Sequence, residues 1–573
     1  MKITIKHHFR KKHITPEEFL EAFFTTRKIT DRNTFLHPPK PADITLDTFF
    51  PKSQCLRAFE LLKKIWERKE TVVVYTDYDA DGITGGAVLW ETLHLLRFHA
   101  MPYVPHRVHE GYGFSQKGID AVKKLYDPRL IISVDHGISA AEKIAYAHSM
   151  GIGVIVTDHH VKPAHFSSKA HAVFHTEKLS GAGVAYFFAK ELFQYFKNER
   201  LVQKETLTIL TDHFSSDYIL LASIGGIADL VPLQGATRSL VKHGLLAFAR
   251  TRRKGMIHLL REAGILGKVM MPYDIGFIIA PRINAVGRLE HAIDALRLLC
   301  TKQDEKALQL ARKVGQKNKE RQVLVEDALE EAKKIVEEER ARKKKLSKVI
   351  VLTSRTWNEG IIGLIAARIT EEYYRPTVVI TMADGFAKGS SRSIQGFDIT
   401  AFLKKHQKFL VDVGGHKAAA GFTIEKKNIE PFKKAVIHAA DTLLQDKDLE
   451  PSINSDFSIP ISSLTISLVK SIEGLQPFGV GNPQPTFYCE GMIVSAGIFG
   501  RDNSHLKIVI ADNEHGDNSS SLLEVIFFKK ADLFLTLSKG QKVAVVYTLE
   551  IDRWGAREKI RGKGKVIVKK EAT

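Results

Sequence analysis

Short apolar runs alternate with helix-like segments between Thr71 and about Asp229. The apolar runs are Val72–Tyr75, Met101–Val104, Leu130–Val134 and Ile152–Val156, and helix-like segments cover Ile83–Leu96 and Ala140–Met150. Such alternation is typical of a parallel sheet covered by helices, with ligands bound outside the carboxyl ends of the strands. The pattern therefore predicts an α/β domain whose functional site lies at one edge of its sheet.

The pattern changes three times in the rest of the chain. Residues Asp304 to Lys345 contain almost no Gly or Pro and carry charges at helical spacing, which predicts a long exposed helix. Strand-like runs at Val349–Leu352 and Val378–Thr381 enclose a helix from Ile361 to Tyr373, which predicts a second, smaller α/β unit. After Pro451, short strands follow one another between polar turns, as in a small β-barrel.

A chain of 573 residues is long enough for several domains, each with its own core. We predict a lead-in over residues 1–70, interrupted by Pro38, Pro39 and Pro41. The first α/β domain then covers 71–303, the connecting helix 304–345, the smaller α/β domain 346–446 and the barrel 452–570.

Composition favours a folded protein with a polyanionic partner. Lys and Arg number 84 against 65 acidic residues, a formal charge of +19, while 44% of the residues are hydrophobic. Such an excess favours nucleic acid before membrane, although it also serves solubility. The start of the chain lacks the apolar core of a signal peptide, and the longest apolar stretch, Ile219–Ala228, is too short to span a bilayer. The cysteines Cys55, Cys300 and Cys489 lie far apart without a CxxC pair, so we expect a cytoplasmic protein without a disulfide framework.

Acids and histidines follow three of the predicted strands. Asp77, Asp79 and Asp81 follow the first, Asp135 and His136 the third, and Asp158, His159 and His160 the fourth; Asp229 comes later, in an apolar setting. Alternate residues of an extended chain face the same way, so the first three acids repel one another unless a cation neutralises them. Carboxylate oxygens suit Mg2+ or Mn2+. The alternatives are a solvated acidic turn for the triplet, and caps or satisfied core histidines for the others.

The chain resembles the DHH phosphoesterase family, named for the triplet Asp158-His159-His160. Within that family it is similar to the single-strand-specific exonucleases of bacterial recombination and repair. The motifs that carry the resemblance are Asp77-Tyr78-Asp79-Ala80-Asp81-Gly82, Glu110-Gly111-Tyr112-Gly113, Val134-Asp135-His136-Gly137, Ser180-Gly181-Ala182-Gly183-Val184-Ala185, Ile227-Ala228-Asp229-Leu230-Val231-Pro232-Leu233, Ala280-Pro281-Arg282-Ile283-Asn284-Ala285-Val286-Gly287-Arg288 and Gly414-Gly415-His416-Lys417-Ala418-Ala419-Ala420-Gly421. His136 stands where members often have Cys, and His175-Thr176 replaces a common Asn-Pro, which affects local packing.

The resemblance implies an α/β fold: a DHH-type parallel-sheet domain, a smaller DHH-associated (DHHA1) α/β domain joined by the long helix, and a C-terminal oligonucleotide-binding (OB) barrel. It also implies two divalent metal ions, Mn2+ or Mg2+. In the arrangement that the resemblance implies, Asp135 bridges the two ions, and Asp79 and Asp81 divide between them. His159 and Asp229 complete the ligands of the second ion, and Asp77 lies at or next to the first ion. Asp158 orients its neighbours, and His160 faces the substrate. The implied catalytic residues are Asp79, Asp81, Asp135, His159, His160 and Asp229.

Phosphate contacts are expected from both α/β domains. The resemblance favours Arg282, for which an internal ion pair is the alternative; Arg288 has the same two alternatives. We also expect contacts from Arg107, Ser391, Arg392 and His416, although glycine turns such as those beside the last three are common for purely conformational reasons.

The barrel ends in a basic tail that we expect to track a single strand. Phe499 and Trp554 are the aromatic residues that stack bases in this prediction. A merely solubilising tail is the alternative. The basic residues are Arg553, Arg557, Lys559, Arg561, Lys563, Lys565, Lys569 and Lys570.

The expected function is a metal-dependent, 5'-to-3' exonuclease that releases 5'-mononucleotides from single-stranded DNA. Polarity and product rest on the resemblance alone, as do a RecQ-type helicase and a single-strand-binding protein as partners. One alternative is a DHH phosphatase or oligoribonuclease acting on short RNA, cyclic dinucleotides or pyrophosphate. The other is a non-catalytic DHH scaffold that binds nucleic acid.

Overall fold

The computed structural model describes residues 2–9, 11, 13–107, 109–111, 113–163, 168–382, 386–512, 521–553 and 557–570. Within these ranges the strands form three sheets. In chain order they are β1 (Lys2–His8), β2 (Thr71–Thr76), β3 (His99–Tyr103), β4 (Leu130–Val134), β5 (Gly153–Asp158), β6 (Ala172–His175), β7 (Ile350–Ser354), β8 (Thr377–Met382), β9 (Phe386–Arg392), β10 (Leu410–His416), β11 (Ala419–Glu425), β12 (Ser452–Ser458), β13 (Phe487–Phe499), β14 (His505–Ala511), β15 (Leu522–Phe527), β16 (Lys542–Asp552) and β17 (Lys559–Lys569).

The helices cover the first two sheets, link them, and pack against the third. They are α1 (Pro16–Arg27), α2 (Arg32–Leu36), α3 (Lys52–Glu67), α4 (Ala80–Leu95), α5 (Gln116–Tyr126), α6 (Ala141–Ser149), α7 (Gly181–Asn198), α8 (Lys204–Ser215), α9 (Asp217–Ala228), α10 (Gly235–Ala247), α11 (Lys254–Glu262), α12 (Pro272–Asp274), a π-helical turn (Ile275–Ile279), α13 (Ala280–Leu289), α14 (Ile293–Cys300), α15 (Asp304–Lys343), α16 (Ile362–Tyr373), α17 (Ile399–Lys404), α18 (Ile429–Leu443) and α19 (Ile466–Glu473). In the described ranges, every helix falls short of the length or the apolar character needed to cross a membrane.

The first sheet is parallel throughout and has the order β3-β2-β4-β5-β6. Alternate residues of β2 enter opposite cores: Val72 and Val74 pack in the core that contains α4 and α7, whereas Val73 and Tyr75 pack with α5 and α6. Because helices cover both faces, the strands are apolar along their whole length. The predicted strands differ from β2, β3 and β5 by at most two residues at either end, and the prediction for β4 has the observed bounds.

Helix α15 joins the first domain to the second sheet, as predicted. Ala311 and Val314 lie in the core of the first domain, and Ala332 and Val336 pack in the core that contains α16. The second sheet has the order β10-β11-β9-β8-β7, in which only the pair β7 and β8 is parallel among the described strands. A rigid helix buried at both ends therefore sets the distance between the two α/β domains.

The third sheet closes into the predicted barrel. Its order is β1-β12-β13-β14-β15-β17-β16, and β16 pairs back with β13. Strands β13 to β17 thus close on themselves, while β12 and β1 extend the sheet beyond the closure. Phe487 on β13 and Tyr547 on β16 are buried in one core with Phe457 on β12.

The segment predicted as one lead-in divides between two domains. Strand β1 pairs in parallel with β12, and Phe19, Phe23 and Phe35 lie in the barrel core. Helix α3 packs instead in the core of the first domain. The chain therefore begins in its C-terminal barrel, a pairing between residues about 450 positions apart that local sequence patterns do not reveal.

Candidate active site

Three neighbouring strands deliver acids and histidines to one edge of the first sheet. Strands β2, β4 and β5 lie side by side in parallel register, with Thr76 opposite Val134 and Val134 opposite Thr157. The residues that follow them therefore meet at the same edge. His159 Nε2 lies 3.1 Å from an oxygen of Asp135, 3.3 Å from one of Asp229 and 3.7 Å from one of Asp81.

The acids after β2 are held by backbone amides at two helix N-termini. Asp79 caps α4 and accepts hydrogen bonds from the amides of Asp81 and Gly82 at 3.0 and 3.1 Å. Asp81 accepts from the amides of Gly181 and Ala182, at the start of α7, at 2.7 and 2.9 Å. Amides at helix N-termini stabilise negative charge, so these carboxylates are fixed in position.

Two glycines allow other elements to approach the acids closely. A Cβ atom on Gly181 would lie 2.4 Å from the Cβ of Asp135, and one on Gly225 would lie 2.1 Å from an oxygen of Asp81. No side chain fits at either position. Gly181 and Gly225 are therefore needed for α7 and α9 to close around the cluster.

Asp135 adopts a left-handed backbone conformation, with φ of 70°. Non-glycine residues rarely take this conformation, which costs free energy and occurs often at functional sites. The next residue, His136, is buried with its ring against Tyr75 and Phe114, and its Nε2 lies 3.0 Å from the carbonyl oxygen of Tyr75. Burial lowers the pKa of His136 to about 4. His136, which stands where family members often have Cys, therefore has a role in local packing.

The cluster is crowded with negative charge. Burial and neighbouring carboxylates raise the pKa values of Asp77, Asp79 and Asp135. The pKa of Asp229 rises to about 8, from burial and the nearby Asp81. Burial also lowers the pKa of His159, which favours the neutral imidazole that binds metals. These carboxyl groups cannot all ionise at neutral pH without a cation among them.

The donor atoms fit one or more divalent metal ions. Three overlapping groups have all their ligand atoms within 4.8 Å of one another: Asp77, Asp79 and Asp135; Asp81, His159 and Asp229; and Asp135, His159 and His160. Among the described residues, the buried atoms Asp77 Oδ1 and His159 Nε2 have no hydrogen-bond partner. Buried polar atoms are normally satisfied, so atoms left without a hydrogen-bond partner among the other ligand atoms indicate a missing ligand. Carboxylate oxygens with one imidazole suit Mn2+ and Mg2+.

Asp158 lies behind the cluster and orients the two histidines. Its carboxylate accepts hydrogen bonds from the amides of Ile138 and His159, at 2.8 and 2.6 Å, and lies 2.8 Å from His160 Nδ1. Burial alone would raise the pKa of Asp158, but the hydrogen bond from the His160 ring and those from backbone amides outweigh it and lower that pKa. Burial likewise opposes the charge on His160, yet the same hydrogen bond raises its pKa to about 9. His175 Nε2 lies 2.6 Å from the carbonyl oxygen of His160 and supports this arrangement.

A cleft lined with arginines lies next to the cluster, between the two α/β domains. Its volume is about 410 Å³, and Tyr78, Arg107, Arg288 and Arg392 are among its lining residues. Tyr78, between the acids Asp77 and Asp79, stacks under the Arg107 guanidinium at 5.0 Å. Burial and the neighbouring guanidinium groups lower the pKa of Arg288 to about 10. The crowded positive charge is suited to a phosphate group.

The motif at 280–288 joins the cleft to the cluster. Asn284 accepts a hydrogen bond from the amide of Ala80 at 2.7 Å, and a Cβ atom on Gly287 would lie 2.8 Å from the carbonyl oxygen of Tyr78. Arg288 donates to the carbonyl of Gly360 in the smaller domain at 2.9 Å. This helix therefore packs directly on the loop that carries the first acids.

The expected phosphate contact by Arg282 is corrected by the structure. Its Nε donates to Glu262 at 2.8 Å and its Nη1 donates to the carbonyl of Ile278 at 2.9 Å. Both charged side chains are largely buried, with 16% and 15% exposed. Arg282 thus takes the ion-pair alternative, because α11 brings Glu262 beside it.

Ser391 is a second correction. Its side chain is fully buried and donates to the carbonyl of Ala420 at 3.1 Å. Side chains along a strand alternate between faces, so Lys388, Ser390 and Arg392 face the cleft and Ser391 does not. Ser390 accepts a hydrogen bond from Arg392 at 3.3 Å and is the serine that sequence reasoning missed.

His416 lies on the same face of the second sheet as Arg392. The register places His416 opposite Ala419, and Ala419 opposite Arg392. Directly paired residues point to the same face of a sheet. Its exposed side chain is therefore in the row that ends at the cleft.

Much of the basic tail is engaged in ion pairs within the barrel. Arg553 pairs with Glu473, Arg561 with Glu550 and Asp552, Lys563 with Glu550, and Lys570 with Glu490, at distances of 2.6–3.0 Å. Trp554 lies outside the described residues. The ring of Phe499 lies 5.2 Å from that of His505, which lies 5.2 Å from Phe528, a ring that is 52% exposed. This aromatic row is therefore a candidate for base stacking, whereas the paired basic residues are already engaged by carboxylates.

Models of three protein families match the chain, one for each predicted domain. They are the N-terminal domain of the DHH family over residues 71–211, the DHHA1 domain over 346–442 and the RecJ OB domain over 455–563. The order of these matches confirms the fold class predicted from the sequence.

Full-length relatives agree with these matches. The single-stranded-DNA-specific exonuclease RecJ of Bacillus subtilis is 32% identical over 92% of this chain, which spans 64% of that protein. The RecJ exonuclease of Haemophilus influenzae is 30% identical over 90% of the chain and 91% of the relative. The crystal structure of RecJ from Thermus thermophilus in complex with Mn2+ superposes with a TM-score of 0.80 at 26% identity, covering the whole chain and 80% of that structure. With such identity over nearly its full length, this chain belongs to the RecJ family.

Proposed function

We propose that this chain is a metal-dependent exonuclease that hydrolyses phosphodiester bonds of single-stranded DNA. The observation that carries the proposal is the cluster of acids and histidines around Asp135, placed directly beside the arginine-lined cleft. The cluster suits cations and the cleft suits phosphate groups, which together are the needs of phosphodiester hydrolysis. The RecJ relatives bear this activity in their names.

The residues divide into those that hold metal and those that hold substrate. Asp77, Asp79 and Asp135 would hold one ion, and Asp81, His159 and Asp229 would hold the other. Asp135, which also belongs to a third candidate group with His159 and His160, would be the ligand shared between the two sets. Divalent ions held there, Mn2+ or Mg2+, supply charge neutralisation and activation of water.

The substrate is held from the other side. His160, kept cationic by Asp158, contacts a phosphate oxygen, while Arg107, Arg288 and Arg392 fix phosphates in the cleft and His416 extends their row. His160 and the three arginines carry their charge before the substrate arrives, so little reorganisation accompanies the reaction.

We further propose 5'-to-3' polarity and release of 5'-mononucleotides. Polarity and product rest on the resemblance to this family, and the volume of the cleft, in the range of small-ligand pockets, suits the end of one strand better than a duplex. The barrel and its aromatic row hold the strand beyond the cleft. A RecQ-type helicase and a single-strand-binding protein would supply the strand, in the cytoplasm, during DNA recombination and repair.

Two other functions are less well supported. A phosphatase or oligoribonuclease acting on short RNA, cyclic dinucleotides or pyrophosphate has no use for the OB barrel. A non-catalytic scaffold has no use for the carboxylates, whose mutual repulsion destabilises the protein.

One assay separates these functions. Wild-type protein with Mn2+ is expected to release mononucleotides from end-labelled single-stranded DNA, in preference to duplex DNA, short RNA and pyrophosphate. Asp135→Ala should lose at least about 100-fold in rate, because metal ions contribute several kcal/mol to such reactions. Asp120→Asn, an exposed acid on α5, is the matched control and should retain the wild-type rate. Turnover confined to pyrophosphate or dinucleotides, or binding of DNA without turnover, would refute the proposal.

A further inference from the structure

A buried arginine connects the barrel to the first domain. Arg238 on α10 is only 1% exposed, and its guanidinium donates to backbone carbonyls: Nε to Phe35 at 2.7 Å, Nη1 to Pro477 at 3.2 Å, and Nη2 to Leu475 and Gln476 at 2.9 and 3.0 Å. The ring of Phe35 lies 3.8 Å from its central carbon. No carboxylate in the described ranges forms an ion pair with it. A buried charge without a counter-ion is costly, and the carbonyls must replace the lost water.

Three of the four acceptor carbonyls, those of Leu475, Gln476 and Pro477, belong to a single turn of the barrel, residues 475–482, which we call the barrel turn. Asn482 is buried and its Nδ2 donates to the carbonyls of Leu475 and Pro477 at 3.0 and 2.9 Å. Gly479 and Asn482 also exchange backbone hydrogen bonds. The barrel turn is therefore internally fixed and presents its carbonyls to Arg238 as a preformed set.

The barrel turn makes a second contact, with the segment that follows Asp229. The amide of Leu233 donates to the carbonyl of Val480 at 2.7 Å. Gly481 has a φ of +75°, and a Cβ atom there would lie 2.9 Å from the Cβ of Pro232. The two backbones thus touch at a distance that only glycine permits.

Only a short and stiff segment separates this contact from the metal cluster. Asp229 ends α9, and Leu233, fastened to the barrel turn, comes four residues later. Between them, Leu230 has a φ of 58° and Pro232 has a ring that fixes its φ. Such a segment transmits a displacement of Leu233 to Asp229 instead of absorbing it.

We propose that Arg238 and the barrel turn form a latch that positions Asp229 as a metal ligand. In this view the barrel completes the metal site as well as holding DNA. The inference rests on the proposed function in one respect, the role of Asp229 as a ligand. Since coupling is reciprocal, a metal ion bound by Asp229 also strengthens the docking of the barrel.

Binding of Mn2+ to the full-length protein, measured by calorimetry without DNA, tests the latch. Arg238→Met removes the donors and keeps an apolar stem, and it should lower Mn2+ affinity about 10- to 100-fold, as loss of groups that orient ligands does elsewhere. Arg238→Lys should retain part of the affinity. Arg375→Met is the matched control, because Arg375 donates to the carbonyls of Tyr374 and Leu449 in the smaller domain, far from Asp229 in the fold; its Mn2+ affinity should equal that of the wild type.

A double variant separates positioning from general damage. In an Asp229→Asn background, Arg238→Met should lower Mn2+ affinity no further, because the residue it positions is already lost. Three results would overturn the latch. They are an unchanged Mn2+ affinity for Arg238→Met, an equal loss of Mn2+ affinity for Arg375→Met, and the same additional loss of affinity when Arg238→Met is made in the Asp229→Asn background. If Arg238→Met does not fold, Gly481→Ala, which forces the barrel turn away from Pro232, is judged by the same criteria. Wild-type protein that binds Mn2+ but leaves single-stranded DNA intact would refute the proposed function alone.

Discussion

Asp135 and Asp158 are both buried acids at strand ends, yet their surroundings act on them in opposite directions. Burial, with Asp81 and Asp79 nearby, raises the pKa of Asp135, whereas hydrogen bonds from His160 and backbone amides overcome burial and lower the pKa of Asp158. A carboxyl group with a raised pKa destabilises the folded protein once it ionises, and one with a lowered pKa stabilises it above its unfolded pKa. Asp135 therefore lowers the stability of the folded chain unless a cation neutralises it, whereas Asp158 stabilises the fold.

Replacing each acid by its amide should change stability in opposite directions. With metal removed by a chelator at pH 7, Asp135→Asn should raise the free energy of unfolding by about 1 kcal/mol or more, because a repelled charge disappears and Asn tolerates the left-handed backbone. Asp158→Asn should lower it by a similar amount, since an amide cannot accept all the hydrogen bonds that the carboxylate accepts. Denaturant titration of both variants provides the measurement. Equal destabilisation by the two changes would show that the cluster is not under electrostatic strain.

At the scale of a single strand, the adjacent residues Ser390 and Ser391 of β9 face opposite sides of the sheet and therefore differ in role. Ser390→Ala should raise the KM for single-stranded DNA about 2- to 10-fold, because the hydroxyl that holds Arg392 toward the cleft is lost. Ser391→Ala should leave KM unchanged and instead lower stability by about 1 kcal/mol, because the buried carbonyl of Ala420 loses its donor. Steady-state kinetics and thermal unfolding of the two variants test the pair. A larger increase in KM for Ser391→Ala than for Ser390→Ala would show that Ser391, and not Ser390, faces the cleft.

Strand β9 also shows which features could not be predicted from the sequence. The long apolar runs of β2, β4 and β5 fix these strands to within two residues, so the acids and histidines that follow them could be predicted to meet at one edge of the sheet. Strand β9 contains glycine and serine in place of an apolar alternation, so nothing local fixes which serine faces the core. The pairing of Arg282 with Glu262 and of β1 with β12 joins distant segments, and only the folded chain reveals it.

At the scale of the whole molecule, the net charge of +19 is a poor guide to the DNA-binding surface. Arg561 on β17 is held by Glu550 and Asp552 on the neighbouring strand β16, at 2.6 and 2.8 Å. Arg107 shares the cleft with Arg288 and Arg392, which crowd one another. A phosphate that binds in the cleft relieves this repulsion, whereas one that binds Arg561 competes with two carboxylates already in place.

The salt dependence of DNA binding should distinguish these two arginines. Affinity for single strands falls with salt in proportion to the number of phosphates neutralised, by about 0.7 in the logarithmic slope for each one. Arg107→Gln should therefore weaken binding of single-stranded DNA and reduce the slope by about 0.7, while Arg561→Gln should leave the slope unchanged and lower the unfolding temperature of the protein. Titrations of labelled oligonucleotide at several salt concentrations measure both, with Ca2+ replacing Mn2+ to prevent hydrolysis. If Arg561→Gln reduced the slope as much as Arg107→Gln does, the barrel face of β17 would carry phosphate contacts despite its ion pairs, and the charge of the whole molecule would be the better guide.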